Sequence, residues 1–182
     1  MSLSLYDVSA PVFRQYLAAL SDILAKAETH CASGALAEAD VIGFRLHEDM
    51  QPFWFQVRQA IVHSAGAVAT LRGQSYPRAV GLVTLQGCKA AVDEAVAYLE
   101  AVKPVDLSLD PDADVALNTP RGAVISAGNF LLALSHGHFY FHVTTAYDIL
   151  RHQGVPLGKR DFTGLVLVRR GDALVDAWEG SN

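Results

Sequence analysis

Residues Ser135–Lys159 read SHGHFYFHVTTAYDILRHQGVPLGK and carry four of the chain's seven histidines. One helix face is predicted in and just before this stretch, because three- and four-residue spacings connect Leu131, Leu134, His138, Phe141, His142, Thr145 and Ile149. His138 and His142 are four residues apart on that face, so their rings are expected to project side by side toward the interior. The stretch therefore predicts a buried helix that presents a pair of imidazoles.

The same periodicity predicts four long helices in all. The fourth begins at Ser126–Asn129 and runs to about His152, where Gly154 follows as a stop. The first three are expected at roughly Leu5–Cys31, Pro52–Leu71 and Leu85–Val102. We expect Asp49 to cap the second helix and Thr84 the third, since short polar side chains accept from free backbone N–H groups there.

Between the third and fourth helices the pattern changes. Two short runs, DVALN at residues 114–118 and AVIS at residues 123–126, flank the turn sequence TPRG. This arrangement predicts a β-hairpin. After residue 164 a short apolar run, Leu165 to Val168, is strand-like and is followed by small and polar residues. The chain is thus expected to be an all-α bundle domain with one small hairpin.

Composition limits the classes of function. The 182 residues are 51% hydrophobic and 18% charged, which suits one folded domain. The net charge is −5 and the 14 Lys and Arg residues are scattered, which argues against nucleic acid as a partner. No apolar run is long enough to span a membrane. Cys31 and Cys88 are far apart and the first residues do not form a signal peptide, so a cytoplasmic location is expected.

The histidine pair suggests a metal site. Imidazoles at i and i+4 on a helix are one way to offer two nitrogens to one cation, and His63 on the second helix is the best-placed third ligand. Three neutral imidazoles with an open position suit zinc, nickel or ferrous iron. The alternative is that these histidines are core groups that hydrogen-bond to carbonyls or hydroxyls.

The other histidines are expected to have ordinary roles. His136 lies two residues from His138 and is interpreted as a surface or interface group. His30 and His152 suit the negative C-terminal ends of helices, and His47 is interpreted as a solvated loop residue. Cys88 lies among alanines on a helix and is expected to be a buried, inert thiol.

Three stretches resemble a known family. SLYDVSAPVF at residues 4–13, EDMQPFWFQV at residues 48–57, and above all HFYFHVTTAYDILRHQGVPLGKRDF at residues 138–162 resemble a bacterial and fungal family of unknown function. That family belongs to the DinB/YfiT-like superfamily of metalloenzymes. The likeness covers roughly residues 2–164, so residues 1–164 are expected to form the domain and residues 165–182 a C-terminal extension.

The resemblance implies an up-down four-helix bundle, often a homodimer, with a metal held by His63, His138 and His142. Relatives in the superfamily include S-transferases that use low-molecular-weight thiols, metal-dependent isomerases and hydrolases. A divalent-metal-dependent thiol transferase or hydrolase acting on a small molecule is therefore the first hypothesis. The alternative is a non-catalytic helical-bundle dimer with a degenerate metal site, which binds a small molecule or acts in stress.

Overall fold

The structure is a computed structural model that describes residues 3–117, 122–170 and 173–176, and it is mostly helical. The first helix, α1, is Ala10–Ala32 and begins later than the predicted Leu5. Pro11 explains the difference, because a residue without an N–H group fits only in the first turn of a helix. A short helix that the periodicity did not predict, α2, follows at Glu38–Gly43.

The second long helix, α3, spans residues 53–71 as an α-helix (Phe53–Ile61), a π-helical turn (Val62–Gly66) and a last α-helical turn (Ala67–Leu71). The π turn inserts an extra residue into the helical repeat, a feature that is frequent at functional sites.

Asp49 does not cap α3, so that prediction was wrong. The residue before the helix is Pro52, and no side chain caps the first turn. The Asp49 carboxylate instead lies 2.8 Å from Nδ1 of His47 in the exposed loop before the helix.

The third long helix, α4, is Leu85–Ala101, and Thr84 caps it as predicted, with its hydroxyl accepting from the Gly87 N–H at 3.0 Å. The loop before this helix lies directly on it. A Cβ atom on Gly87 would be 2.0 Å from the carbonyl oxygen of Gly81, so only glycine permits this approach.

The predicted hairpin is present in its two strands. β1 (Asp114–Ala116) pairs antiparallel with β2 (Val124–Ser126), with Asp114 opposite Ser126. The tip of the predicted turn, residues 118–121, lies outside the described residues. Directly after β2 the Ser126 hydroxyl accepts from the Asn129 N–H and starts the fourth long helix, as expected.

This helix, α5, spans residues 127–152. It consists of one α-helical turn (Ala127–Asn129), a π-helical segment (Phe130–Ser135) and a regular α-helix (His136–His152). Both helices that carry the predicted metal ligands therefore contain a π segment.

The long helices bury their apolar faces against one another. α1 packs mainly on α4 and α3 mainly on α5, while α3 also contacts α4 and α1 contacts α5. Among the largest fully buried side chains are Phe13, Leu17, Leu20, Phe53, Ile61, Leu85, Leu131, Phe139 and Ile149. The core thus lies between the helices and holds α3 and α5 side by side.

The C-terminal region forms its own small elements. A short helix, α6 (Lys159–Thr163), precedes β3 (Leu167–Arg170) and β4 (Ala173–Asp176), which pair antiparallel. The strand-like run predicted from Leu165 therefore begins two positions later and forms half of a hairpin. No helix in the described part of the chain is long and apolar enough to cross a membrane.

Candidate functional site

The three predicted metal ligands lie together. His63 is half-buried on the π turn of α3, and its ring centroid lies 4.6 Å from that of His138 and 5.9 Å from that of His142, both on α5. The contact between α3 and α5 thus brings these rings from different parts of the sequence into one cluster, which we call the histidine triad.

Hydrogen bonds determine which ring nitrogens carry protons on α5. The Gln56 amide donates from Nε2 to the carbonyl oxygen of Gln51 at 2.8 Å, which turns its Oε1 toward His142. Nδ1 of His142 lies 2.7 Å from this Oε1. Because an amide oxygen only accepts, the His142 proton is on Nδ1 and the lone pair is on Nε2.

His138 has the same tautomer. Its Nδ1 lies 2.8 Å from the carbonyl oxygen of Leu134, one turn earlier on the helix, and therefore donates to it. Two neighbouring imidazoles are thus anchored through Nδ1 and leave Nε2 free. Anchoring one ring nitrogen on a carbonyl is also how metal-binding histidines are usually oriented.

The environment keeps two of the rings neutral. Burial, with smaller contributions from the neighbouring His138 and His142, lowers the pKa of His63 to about 4. Burial also lowers the pKa of His142 to about 4, with a smaller contribution from His138. Both rings are therefore uncharged near pH 7, the state that a metal ligand or a general base requires.

The burial of the two α5 histidines, His138 and His142, differs from the prediction. His142 is 8% exposed, whereas His138 is an exposed residue and does not project into the interior. The buried face of this part of α5 is centred on Phe139, Val143 and Ala146, and His138 lies at its edge. Phe141, expected on the inward face, is 54% exposed for the same reason.

The ring orientations are not those of a closed metal site. The His63 ring plane is within 14° of that of His138 and within 11° of that of His142, in a stacked arrangement. An imidazole lone pair lies in its ring plane, so stacked rings do not direct their nitrogens at one point. Across residues 3–117, 122–170 and 173–176, no group of three or more His, Cys, Asp or Glu side chains is arranged to hold a metal ion.

The donor set nevertheless suits a borderline divalent cation, because it consists of imidazoles with free Nε2 atoms. Three imidazoles about 2.0–2.1 Å from one tetrahedral zinc ion have ring centroids about 5 Å apart, and the distances of 4.6 and 5.9 Å lie on either side of this value. In this arrangement the orientation of the ring planes, rather than the distance between the rings, differs from that of three imidazoles on one ion.

A cavity of about 700 Å³, the His63 cavity, opens beside the triad between the two π segments. Its walls include His63 and Gly66 from α3, Phe130 and Leu134 from α5, and the loop of residues 74–79. Ser135 also lines it, and the Ser135 hydroxyl is buried without a hydrogen-bond partner among the described residues. Leaving a buried hydroxyl without a partner costs stability.

Most other histidines lie where the sequence placed them. His47 is exposed and pairs with Asp49, and His30 and His152 lie in the last turns of α1 and α5. His136 differs, because it is half-buried rather than on a free surface. Its Nε2 lies 2.7 Å from the carbonyl oxygen of Val8, and its ring packs on Phe13 with centroids 4.7 Å apart.

The cysteines are free thiols. Cys88 is fully buried, and burial raises its pKa to about 12, so it is an inert core residue as predicted.

Two features of the site were missed from the sequence. The π segments leave no mark in the apolar periodicity. Gln56, which orients His142, could have been found from the sequence. It lies seven residues before His63, which is two helical turns, and therefore on the same face of the helix. A polar residue that is buried there needs a hydrogen-bond partner.

Comparisons with known proteins agree with this fold. A family model described as a domain of unknown function (DUF1993) matches residues 5–163. A solved structure, the crystal structure of a DinB family member protein from Shewanella denitrificans, is 27% identical with a TM-score of 0.85, and the match covers 92% of this chain and 96% of that one. A search of curated proteins finds no match. The chain therefore belongs to the DUF1993 family and has a DinB-like helical fold.

Proposed function

We propose that this protein is a metal-dependent enzyme in which His63, His138 and His142 hold a divalent cation, zinc, nickel or iron, through their Nε2 atoms. The observation that carries the proposal is the shared anchoring of His138 and His142 through Nδ1 to fixed oxygen atoms. This anchoring leaves two free lone pairs on adjacent turns of α5, next to a neutral third imidazole.

The residues of the chain have separate roles in this proposal. Gln56 and the Leu134 carbonyl hold the two α5 rings, so that little side-chain entropy is lost on binding. His63, whose ring is stacked on the other two, would complete the ligand set after a change in its orientation. The His63 cavity, whose wall includes Phe130 and Leu134, would receive the substrate.

The reaction we favour is thiol transfer, with hydrolysis second. A divalent cation held by the three histidines would supply a Lewis acid that lowers the pKa of a water or thiol, and both reactions need a nucleophile activated in this way. The protein itself offers no activated thiol beside the triad, since the Cys88 pKa is raised to about 12. The nucleophile would therefore come from a small thiol substrate or from water.

Elemental analysis of protein purified without an affinity tag tests this proposal. We expect about one zinc, nickel or iron per chain, or uptake of zinc or nickel by the metal-free protein, and loss of that metal in His142→Ala. His152→Ala is the matched control, because His152 lies at the end of α5 away from the triad. Absence of metal together with no uptake would end the metal proposal.

The stacked ring planes favour a second candidate, a non-catalytic protein with a degenerate metal site that binds a small molecule or acts in stress. In that case His63 and His142 serve as neutral groups beside the cavity. Binding of a small molecule without any metal uptake would favour this candidate over the enzyme.

The finer architecture is also part of the proposal. We infer an up-down four-helix bundle from α1, α3, α4 and α5, supported by their mutual contacts. Residues 1–164 would form this bundle domain and residues 165–182 an extension with its own hairpin.

A homodimer is supported by the exposed apolar side chains of Leu132 and Phe141 on α5. A cytoplasmic location, and the absence of nucleic acid and membrane partners, stay predictions from composition. Light scattering of wild type and Phe141→Ser tests the dimer.

A further inference from the structure

A second cavity lies along the other half of α3. It has a volume of about 660 Å³ and is walled by the end of α2, the first turns of α3 and the loop of residues 78–83. We call it the arginine cavity, because Arg58 and Arg78 are its charged lining residues and the remainder of the lining is apolar or glycine. Its volume is in the range of small-molecule sites.

Among the residues that the structure describes, Arg58 and Arg78 have no acidic partner. In the described part of the chain the carboxylates within ion-pair distance of an arginine belong to pairs with Arg14, Arg72 and Arg160. The described lining of the arginine cavity contains no aspartate or glutamate. In a chain with a net charge of −5, two unpaired cations at one apolar cavity form a local site for an anion.

Aromatic rings hold Arg58 in place. Its guanidinium carbon lies 5.2 Å from the centroid of the Trp54 ring and 4.5 Å from that of Phe55. Stacking on these rings restricts the guanidinium group while its N–H groups remain available for a ligand. On the opposite wall Val80 and Val83 are 78% and 80% exposed, so the loop presents apolar surface that the fold itself does not cover.

The arginine cavity adjoins the proposed site. Arg78 and Ala79 line both this cavity and the His63 cavity. Phe55, which lies under Arg58, also contacts the His142 ring with centroids 6.2 Å apart. The arginine cavity therefore shares a wall with the His63 cavity.

We propose that the arginine cavity binds a small organic anion that consists of an apolar body and one carboxylate. The carboxylate pairs with Arg58 and Arg78. The apolar body contacts Trp54, Val80 and Val83. If the proposed function holds, this anion is the substrate or part of it, but binding depends only on the cavity and needs no metal.

NMR titration of the ¹⁵N-labelled full-length protein with octanoate, and separately with 1-octanol, tests the proposal. Octanoate is expected to shift the indole N–H signal of Trp54 and the amide signals of residues 79–83 in a saturable way. It should bind about tenfold more tightly than 1-octanol, because a charge-assisted pair with arginine is lost with the alcohol.

Variants assign the site. Arg58→Gln combined with Arg78→Gln should reduce the affinity for octanoate to that of 1-octanol, while Arg14→Gln, on an exposed ion pair, should not change it. If the double variant fails to fold, Val83→Glu replaces it, since an acidic group at this exposed position repels the anion without disturbing the core. Equal affinity for the two probes, or octanoate binding unchanged in the double variant, overturns the proposal.

The same titration separates this proposal from the metal site. His142→Ala should lose metal and keep the wild-type affinity for octanoate, whereas the arginine double variant should keep metal and bind octanoate only as weakly as 1-octanol. Loss of octanoate binding in His142→Ala alone would contradict an independent arginine cavity.

Discussion

Gln56→Leu tests how the triad is held. Gln56 is 2% exposed, and its amide oxygen accepts the Nδ1 proton of His142 at 2.7 Å. Leucine has a similar volume but no acceptor, so the substitution removes this hydrogen bond and opens little space. The other partner of Gln56, the Gln51 carbonyl, belongs to an exposed residue and can bind water instead.

The cost follows from burial. His142 is 8% exposed, so its Nδ1–H is left with almost no access to water, and we expect the free energy of unfolding to fall by about 1–3 kcal/mol. The His142 ring can partly avoid this cost by changing its tautomer, so that the proton is on Nε2. Nε2 then has no lone pair with which to bind a metal ion. We therefore expect zinc affinity to fall by about 10- to 100-fold, the usual effect of removing such an orienting partner.

Urea unfolding, zinc titration and ¹⁵N NMR of the His142 imidazole measure these three effects. Gln59→Leu, three residues later on α3, is the matched control, because Gln59 makes no side-chain hydrogen bond among the described residues; its stability should change by less than about 0.5 kcal/mol. A Gln56→Leu protein that keeps the Nδ1–H tautomer and the wild-type zinc affinity would refute the role given to Gln56.

Three further predictions concern the surroundings of the site. Gly87→Ala should lower the free energy of unfolding by about 1–3 kcal/mol, because the added Cβ would lie 2.0 Å from the overlying loop. Gly137→Ala, whose Cβ would have no neighbour within 4 Å, should raise the free energy of unfolding by about 0.5–1 kcal/mol. Equal effects of the two variants in urea unfolding would contradict the close approach of the loop. Stability of the metal-free protein should fall as the pH drops from about 6.5 to 4. The pKa values of His63 and His142 are lowered to about 4, so in this interval the unfolded chain binds more protons than the native one. His142→Leu should flatten this dependence, and an unchanged pH profile would count against a neutral native ring. Ser135→Ala should raise stability by about 1 kcal/mol in thermal unfolding, because the hydroxyl is buried without a partner, and a loss of stability would mean that the hydroxyl is bonded after all.

The helices could be predicted because their faces are buried along regular α-helical turns. The residues at three- and four-residue spacings are buried in the structure: Leu17, Leu20, Ile23, Leu24 and Ala27 on α1, and Phe53, Val57, Ala60, Ile61 and Val68 on α3. Spacing also indicated the triad, since His63 lies on the helix that packs beside α5. These inferences depend on local periodicity, which a single sequence carries.

The remainder depends on contacts between distant residues. The π segments lie where α3 and α5 face the His63 cavity. The exposure of His138 depends on which residues of α5 pack against α3. The arginine cavity requires the loop of residues 78–83 to lie beside α3, which no local pattern indicated. Gly87 is a residue whose type fits this loop position, because only a glycine there lets the carbonyl of Gly81 lie so close.

A crystal structure of the protein grown with zinc chloride tests the central claim most directly. We predict one ion about 2.0–2.1 Å from Nε2 of His63, His138 and His142, with the His63 ring rotated out of its stacked position and Nδ1 of His142 still bonded to Gln56. No ion among the three rings at saturating zinc, or an ion bound through Nδ1, would contradict the account.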